Sequence, residues 1–208
     1  MENYEGEIRS VKLDLKVCTV SFVSEEGEGL KGVEYTGDKK LTPEISFENG
    51  ILAITQPEVS GISYAITPFN KPKLTVTIGK ESVLNNLDIR MNAGDIKING
   101  IAADWFSEVI GAGNINISDS SFLKSEIISK TGNIDIRNTN LDMVVIEANV
   151  GNVKLDAAED LDRYGIDCKV YTGNIRVGND SCSGEFRSEE KGTGYIRIKV
   201  NVGCITVV

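Results

Sequence analysis

The sequence predicts an all-β fold, namely a single-chain parallel β-solenoid (β-helix-like) with coils of about 19 residues and an irregular N-terminal β cap. Three observations lead to this prediction. The 208 residues include 24 Ile and 19 Val against 12 Leu and 9 Ala, and β-branched residues favour strands over helices. Glycine is abundant, at 21 residues, whereas proline is rare, at 4, so the chain turns often without rigid linkers. A short pattern also recurs at a fixed period, which is typical of repeat folds.

The recurring pattern is a glycine, then in most copies a polar residue, then two apolar residues separated by one that is not apolar. Along the chain these glycines are spaced 19, 19, 19, 22, 21 and 9 residues apart. Three equal spacings in succession indicate a structural repeat. The seven glycines are Gly94, Gly113, Gly132, Gly151, Gly173, Gly194 and Gly203.

Each repeat is predicted to contain two short strands and two tight corners. Ile96 and Ile98 follow Gly94 and enclose Lys97, and every copy has this alternation, which is typical of a strand with one buried face. A second apolar segment, such as residues 87–91, precedes the glycine. Because one unit cannot bury its own apolar row, we expect the units to stack in parallel, about 4.8 Å apart, into a short rod.

The residues at the corners are expected to have structural roles. Glycine permits a positive φ or a close approach between stacked backbones. In four repeats the next residue is asparagine, and stacked amides can hydrogen-bond along a rod. Such a row could also bind a ligand, but the structural interpretation is favoured. The four asparagines are Asn114, Asn133, Asn152 and Asn174.

These Gly-Asn/Asp-Ile-x-Ile units, together with residues 49–54 (NGILAI) and 72–78 (PKLTVTI), resemble the bacterial putative-adhesin family of β-strand-repeat domains. The resemblance extends from about residue 10 to the C-terminus and is strongest in residues 72–208. It implies a β-solenoid and an adhesive or cell-envelope role at the cell surface. It supplies no catalytic residues.

We expect one continuous domain with two regions. Residues 1–80 form irregular β coils that cap one end, and residues 81–208 form the regular β-solenoid, because an open solenoid end exposes unpaired strand groups. The chain finishes in the apolar sequence Ile205-Thr206-Val207-Val208. We therefore hypothesise that the C-terminal end of the rod mediates self-association.

Composition excludes several functional classes. The chain has no histidine, which rules out Ser-His-Asp and Cys-His nucleophile systems and His-ligated metal centres. With 22 basic and 31 acidic residues the net charge is −9, so nucleic acid is not an expected partner. The acidic N-terminus does not resemble a signal peptide, and no apolar run suggests direct membrane insertion. The four cysteines form no CxxC pair, so no cofactor, redox motif or zinc site is predicted.

Two features are candidate ligand contacts. The acidic insertion in the 22-residue repeat offers carboxylates for a cation such as calcium, although acidic loops are usually only solvated. Trp105 at a coil corner could stack on a sugar ring, although partial burial against a neighbouring loop is favoured. The acidic candidates are Asp156, Glu159, Asp160 and Asp162.

Three functional classes remain open. The first is a non-catalytic adhesin or envelope protein that binds a protein or glycan surface. The second is a polysaccharide lyase or hydrolase, since such enzymes use β-helices and need carboxylates rather than histidine. No carboxylate pair stands out, however, and Asp119 and Asp142 resemble solvated polar residues. The third is a scaffold or envelope-stress sensor that works by oligomerising.

Overall fold

The described part of the chain consists mainly of β-strands. The computed structural model describes residues 6–58, 71–188 and 192–208. Within them lie two short 3-10 helices, Lys39–Leu41 and Leu161–Arg163, and 19 strands. The all-β prediction is confirmed. The strands are β1 (Ser10–Val17), β2 (Thr19–Glu25), β3 (Leu30–Thr36), β4 (Glu44–Glu48), β5 (Ile51–Thr55), β6 (Lys73–Gly79), β7 (Val83–Ala93), β8 (Ile96–Asn99), β9 (Ala102–Ala112), β10 (Ile115–Ser118), β11 (Ser121–Thr131), β12 (Ile134–Val150), β13 (Val153–Ala157), β14 (Tyr164–Thr172), β15 (Ile175–Val177), β16 (Asp180–Cys182), β17 (Glu185–Arg187), β18 (Gly194–Val202) and β19 (Ile205–Val207).

The strands form two ladders that share one core. β12 is long enough to belong to both, so together the strands make a single curled sheet of 19 strands. The first ladder runs in the order β4, β5, β1, β7, β9, β11, β12, β18, β14, β17. The second runs in the order β3, β6, β2, β8, β10, β12, β13, β19, β15, β16.

The middle of each ladder is parallel, and residues 19 positions apart lie side by side. This register places apolar side chains beside apolar side chains, because the apolar positions of successive strands fall in one inward row. The first ladder aligns Leu84, Ala103, Phe122 and Leu141, and the second aligns Ile96, Ile115, Ile134 and Val153. Outward residues between these rows remain exposed, as Lys97 does in β8.

Six of the seven glycines stack at one corner, where the chain passes from the first ladder to the second. Their φ angles lie between 132° and 148°, a region that other residues rarely adopt. A Cβ at Gly113 would lie 1.7 Å from the Gly94 carbonyl oxygen, and one at Gly132 would lie 1.8 Å from that of Gly113. Both the conformation and the close contact therefore require glycine.

Gly194 does not belong to this corner, which corrects the alignment made from the sequence. It begins β18 in the first ladder, lies beside Tyr164, and has no positive φ. Ile196 and Ile198 accordingly occupy the first ladder, whereas the equivalent residues after the other six glycines occupy the second. The motif misleads here because both ladders share the same apolar alternation.

The C-terminal strands are enclosed, so the apolar residues Ile205 and Val207 do not lie at an open edge of the ladders. β18 lies between β12 and β14, and β19 lies between β13 and β15. Because the last strand, β19, is inserted one layer in from the end, both of its edges are paired and Ile205 and Val207 are buried. Self-association stays a prediction, but an exposed C-terminal strand is no longer a reason for it.

The N-terminal strands follow the same plan. β1 and β2 are inserted between β5 and β6 on one side and β7 and β8 on the other. At this end β4 and β3 add antiparallel strands outside β5 and β6, and at the opposite end β17 and β16 do so outside β14 and β15. The parallel layers therefore do not end on bare edges.

A single apolar cluster fills the space between the ladders. Phe106 and Phe122 stack within it, with ring centres 4.8 Å apart. Among the described residues, one buried charged residue interrupts this core. Glu108 lies in the same inward row as Ile89 and Ile127, and it is fully buried.

Candidate binding surface

Four apolar or aromatic side chains lie along one corner of the first ladder, and we name them the corner ridge. Trp105 lies beside Lys124, Lys124 beside Met143, and Met143 beside Tyr195. Strands about 4.8 Å apart place the first and last ridge residues, three strands apart, at a distance of about 14 Å. The ridge consists of Trp105, Leu123, Met143 and Tyr195.

The ridge is exposed because the strand bends there. In β9 two consecutive residues, Asp104 and Trp105, point outward between the buried Ala103 and Phe106. β11 repeats this break in the alternation. Trp105, Leu123 and Met143 are consequently 39%, 51% and 43% exposed. Trp105 is thus neither buried nor fully free.

Charged groups border one end of the ridge. The Arg197 guanidinium lies 5.3 Å from the centre of the Tyr195 ring. Arg163 donates hydrogen bonds to both Asp142 and Glu159, and the bond to Glu159 raises the pKa of Arg163. A polar rim beside an exposed apolar strip is the usual anatomy of a protein interaction surface.

A shallow groove crosses the outer side of the first ladder, near the glycine corner. It is lined by residues of β11, β12 and β18. Tyr171 of β14, which is 63% exposed, belongs to the same face, because β14 pairs with β18. The Lys169 and Lys199 ammonium groups lie 5.5 Å and 6.0 Å from the centre of the Tyr171 ring. The groove is lined by Ile128, Ser129, Lys130, Glu147, Ala148, Asn149, Lys199 and Asn201.

The acidic insertion does not gather its carboxylates. Glu159 is bound by Arg163, and Asp160 precedes the short helix without capping it. Asp156 lies at the end of β13, whereas Asp162 lies inside the helix. Among residues 6–58, 71–188 and 192–208, no group of three or more acidic or cysteine side chains is placed to hold a metal ion.

The asparagines after the glycines form a hydrogen-bonded ladder. The backbone N–H of Asn133 donates to Asn114 Oδ1 at 3.1 Å, and that of Asn152 donates to Asn133 Oδ1 at 3.0 Å. Asn152 Oδ1 then accepts from the Cys204 backbone N–H at 2.9 Å, so Cys204 lies between Asn152 and Asn174. These amide oxygens are occupied by the backbone of the next layer.

A second polar row at the opposite corner is absent from the sequence-based predictions. Asn99 donates to Asp119 at 3.1 Å, and Asn138 donates to the same carboxylate at 2.7 Å. Asp119 and Asn138 have φ angles of 52° and 44°, and Gly100 in the same position has 69°. The signal in the sequence is the 19-residue spacing of Gly100, Asp119 and Asn138.

The most strongly perturbed ionisable groups are buried. Burial raises the pKa of Glu108 to about 8, and neither of its carboxyl oxygens has a hydrogen-bond partner among the described residues. Burial likewise raises the pKa values of the Cys18 and Cys168 thiols to about 12. Thiols with such pKa values are poor nucleophiles. None of these groups lies on the corner ridge or in the groove.

Comparison with known proteins decides the family. The family model Toastrack DUF4097 matches residues 8–201. The chain belongs to the Toastrack DUF4097 family. No match was found among curated proteins.

Two solved structures show the same fold as this Toastrack chain. The first is described as a "putative cell adhesion protein from Clostridium sporogenes", with 15% identity, a TM-score of 0.58, and coverage of 97% of this chain and 92% of the other. The second is a "putative adhesin" from Bacteroides fragilis, with 13% identity, a TM-score of 0.55, and coverage of 98% and 93%. The similarity to the adhesin family expected from the sequence is confirmed. Within the described residues of this Toastrack chain, no helix has the length and apolar character needed to cross a membrane.

Proposed function

We propose that this protein is a non-catalytic adhesin that attaches to a protein or glycan at a cell surface through the corner ridge. The observation that carries this proposal is one row across four strands, in which Trp105, Met143 and Tyr195 are aligned with Lys124 of β11 between the first two. Leu123 is exposed directly before Lys124 on the same strand. The paired strands hold the backbones of these residues in place, so binding does not have to order the chain that carries them. Large aromatic and Met side chains are also the types enriched at interaction surfaces.

The family and the two adhesin-like structures support this function and a location at the cell surface or envelope. The local chemistry also favours binding over catalysis. Asp142, the carboxylate next to Met143 on the ridge, is bound by Arg163, and Asp119 is held by two asparagines. A general acid or base has to be free to exchange a proton with its substrate.

The proposed arrangement is a parallel β-solenoid with coils of about 19 residues, in which each coil adds one residue to the ridge. The 19-residue register of β7, β9, β11 and β12 supports it. A regular coil would present ligand contacts at the strand repeat of about 4.8 Å.

Binding of labelled protein to bacterial and host cells and to a glycan array tests the proposal. The test variant combines Trp105→Ser, Leu123→Ser and Met143→Ser, and should lose most of the binding. The matched control combines Val150→Ser and Val202→Ser, which removes exposed apolar side chains at the other corner, and should bind as the wild type does. Equal binding by test and control variants would remove the ridge from the proposal, whereas turnover of a bound polysaccharide would contradict a non-catalytic role.

A further inference from the structure

The groove on the outer side of the first ladder combines basic, aromatic and amide side chains. Lys130, Asn149, Asn201 and Tyr171 occupy neighbouring positions on β11, β12, β18 and β14, as the flanking pairs of residues show. They therefore form a row across the strands, with a repeat of about 4.8 Å. Asn201 donates a hydrogen bond of 2.6 Å to Asn149, which fixes the orientation of both amides. We name Lys130, Lys169, Tyr171 and Lys199 the lysine-tyrosine face.

The charge of this face is opposite to that of the whole molecule. The chain carries a net charge of −9, yet three lysines surround the groove, and Glu147 is the one carboxylate among the described residues that line it. None of the three lysines forms an ion pair within residues 6–58, 71–188 and 192–208. Their ammonium groups thus have free donors for an anionic partner.

The groove also offers hydrogen-bonding side chains, namely the amides of Asn149 and Asn201. Tyr171 presents an exposed aromatic ring with the Lys169 and Lys199 ammonium groups near it, so an aromatic surface and positive charge lie together. Sugar rings need an aromatic face for stacking and amide or hydroxyl groups for their hydroxyls.

We propose that the lysine-tyrosine face binds a linear acidic polysaccharide. The lysines contact the carboxylates of the chain, Tyr171 stacks on one ring, and Asn149 and Asn201 meet the hydroxyl groups. The repeat of the row is comparable to the length of one pyranose ring in an extended chain, so successive sugars meet successive strands. This site is separate from the corner ridge, because Lys130 lies six residues along β11 from Lys124, at a distance of about 20 Å.

Calorimetric titration at low salt tests the proposal, with oligomers of polygalacturonate, alginate and hyaluronate, neutral dextran, and a DNA duplex of equal charge. At least one acidic polysaccharide should bind, dextran should not, and added salt should weaken the binding because it screens the lysines. Lys130→Gln combined with Lys199→Gln should weaken it about tenfold or more, and Tyr171→Ala by a similar factor. Lys97→Gln removes one exposed charge on the second ladder and should have no effect.

Three outcomes overturn the proposal: no binding of any acidic polysaccharide, equal loss in the Lys97→Gln control, or equally tight binding of DNA with the same response to the variants. Trp105→Ser belongs to the corner ridge and should leave this affinity unchanged. A failure here therefore does not bear on the ridge, and a failure of the ridge does not bear on this face.

Discussion

Replacement of Glu108 by isoleucine is expected to stabilise the protein, and increasingly so as the pH rises. Glu108 is fully buried between Ile89 and Ile127 in adjacent strands, and its carboxyl oxygens lack partners among the described residues. Isoleucine would continue the inward row of the neighbouring strands. Replacing a buried polar group by an apolar one of similar size is often stabilising.

The magnitude follows from the pKa of Glu108, which burial raises from its usual 4.5 to about 8. Since the folded state binds the proton more tightly than the unfolded state, the wild type loses stability as the pH rises from about 4.5 to about 8. The loss is about 3 kcal/mol at pH 7 and approaches about 5 kcal/mol above pH 8. Unpaired polar atoms of the neutral carboxyl add about 1–3 kcal/mol at every pH.

Urea denaturation of the wild type and Glu108→Ile at pH 5, 7 and 9 gives the difference in the free energy of unfolding. All other carboxyl groups are common to both proteins, so their titration cancels in this difference. Glu108→Gln is the matched control, because it keeps the shape and the unpaired polar atoms but cannot ionise. Both variants should gain on the wild type between pH 5 and pH 9, with isoleucine ahead of glutamine. A difference that is the same at pH 5 and pH 9 would refute the reasoning.

Two other predictions concern the corners. Gly132→Ala should destabilise the protein by more than about 3 kcal/mol or prevent folding, because the new Cβ would meet the Gly113 carbonyl oxygen. Gly184→Ala has open space around the new Cβ, so only the positive φ opposes it, at a cost of about 1–2 kcal/mol. Thermal unfolding measures both. Equal melting temperatures for the two variants would contradict the close contact. Asn133→Ala should lower the free energy of unfolding by about 1 kcal/mol in the same assay, because it removes the acceptor for the Asn152 N–H. Asn133→Asp should lower it less, because Asp95 at the equivalent position already accepts such a bond, from the Asn114 N–H at 2.9 Å. An alanine variant as stable as the wild type would show that the ladder contributes nothing.

The sequence was informative wherever a local pattern determines the structure. Two-residue alternation predicted which side of β8 is buried, and the 19-residue period matches the pairing of β7 with β9 and of β9 with β11. The alignment of Trp105 with Lys124 likewise gives the position of the ridge residue on its strand. These features depend on steric and apolar periodicity alone.

The order of the layers could not be predicted from such patterns. Gly151 and Gly173 differ by one repeat in sequence, yet Gly203 lies between them in space. Because every layer presents the same apolar alternation, local residues do not determine which neighbours pair. In the observed order, β16 and β17 cover the end with antiparallel strands.

The candidate binding surface was only partly accessible from the sequence. Trp105 stands out as the one tryptophan, but Leu123 and Met143 lie one and two strands from it only through the register of β9, β11 and β12. Tyr171 joins Lys199 because β18 is inserted beside β14, which no spacing in the sequence indicates. Surfaces built from separate strands require the pairing order to be known.

Hydroxyl-radical footprinting of the protein bound to cells tests adhesion through the corner ridge most directly. Trp105, Met143 and Tyr195 are all side chains that oxidise readily, and each lies on the proposed contact surface. The rate of oxidation should fall several-fold at these three residues in cell-bound protein, while Tyr35, which lies on β3, keeps its rate. Unchanged oxidation of Trp105 and Met143 in protein that is demonstrably bound would contradict the account.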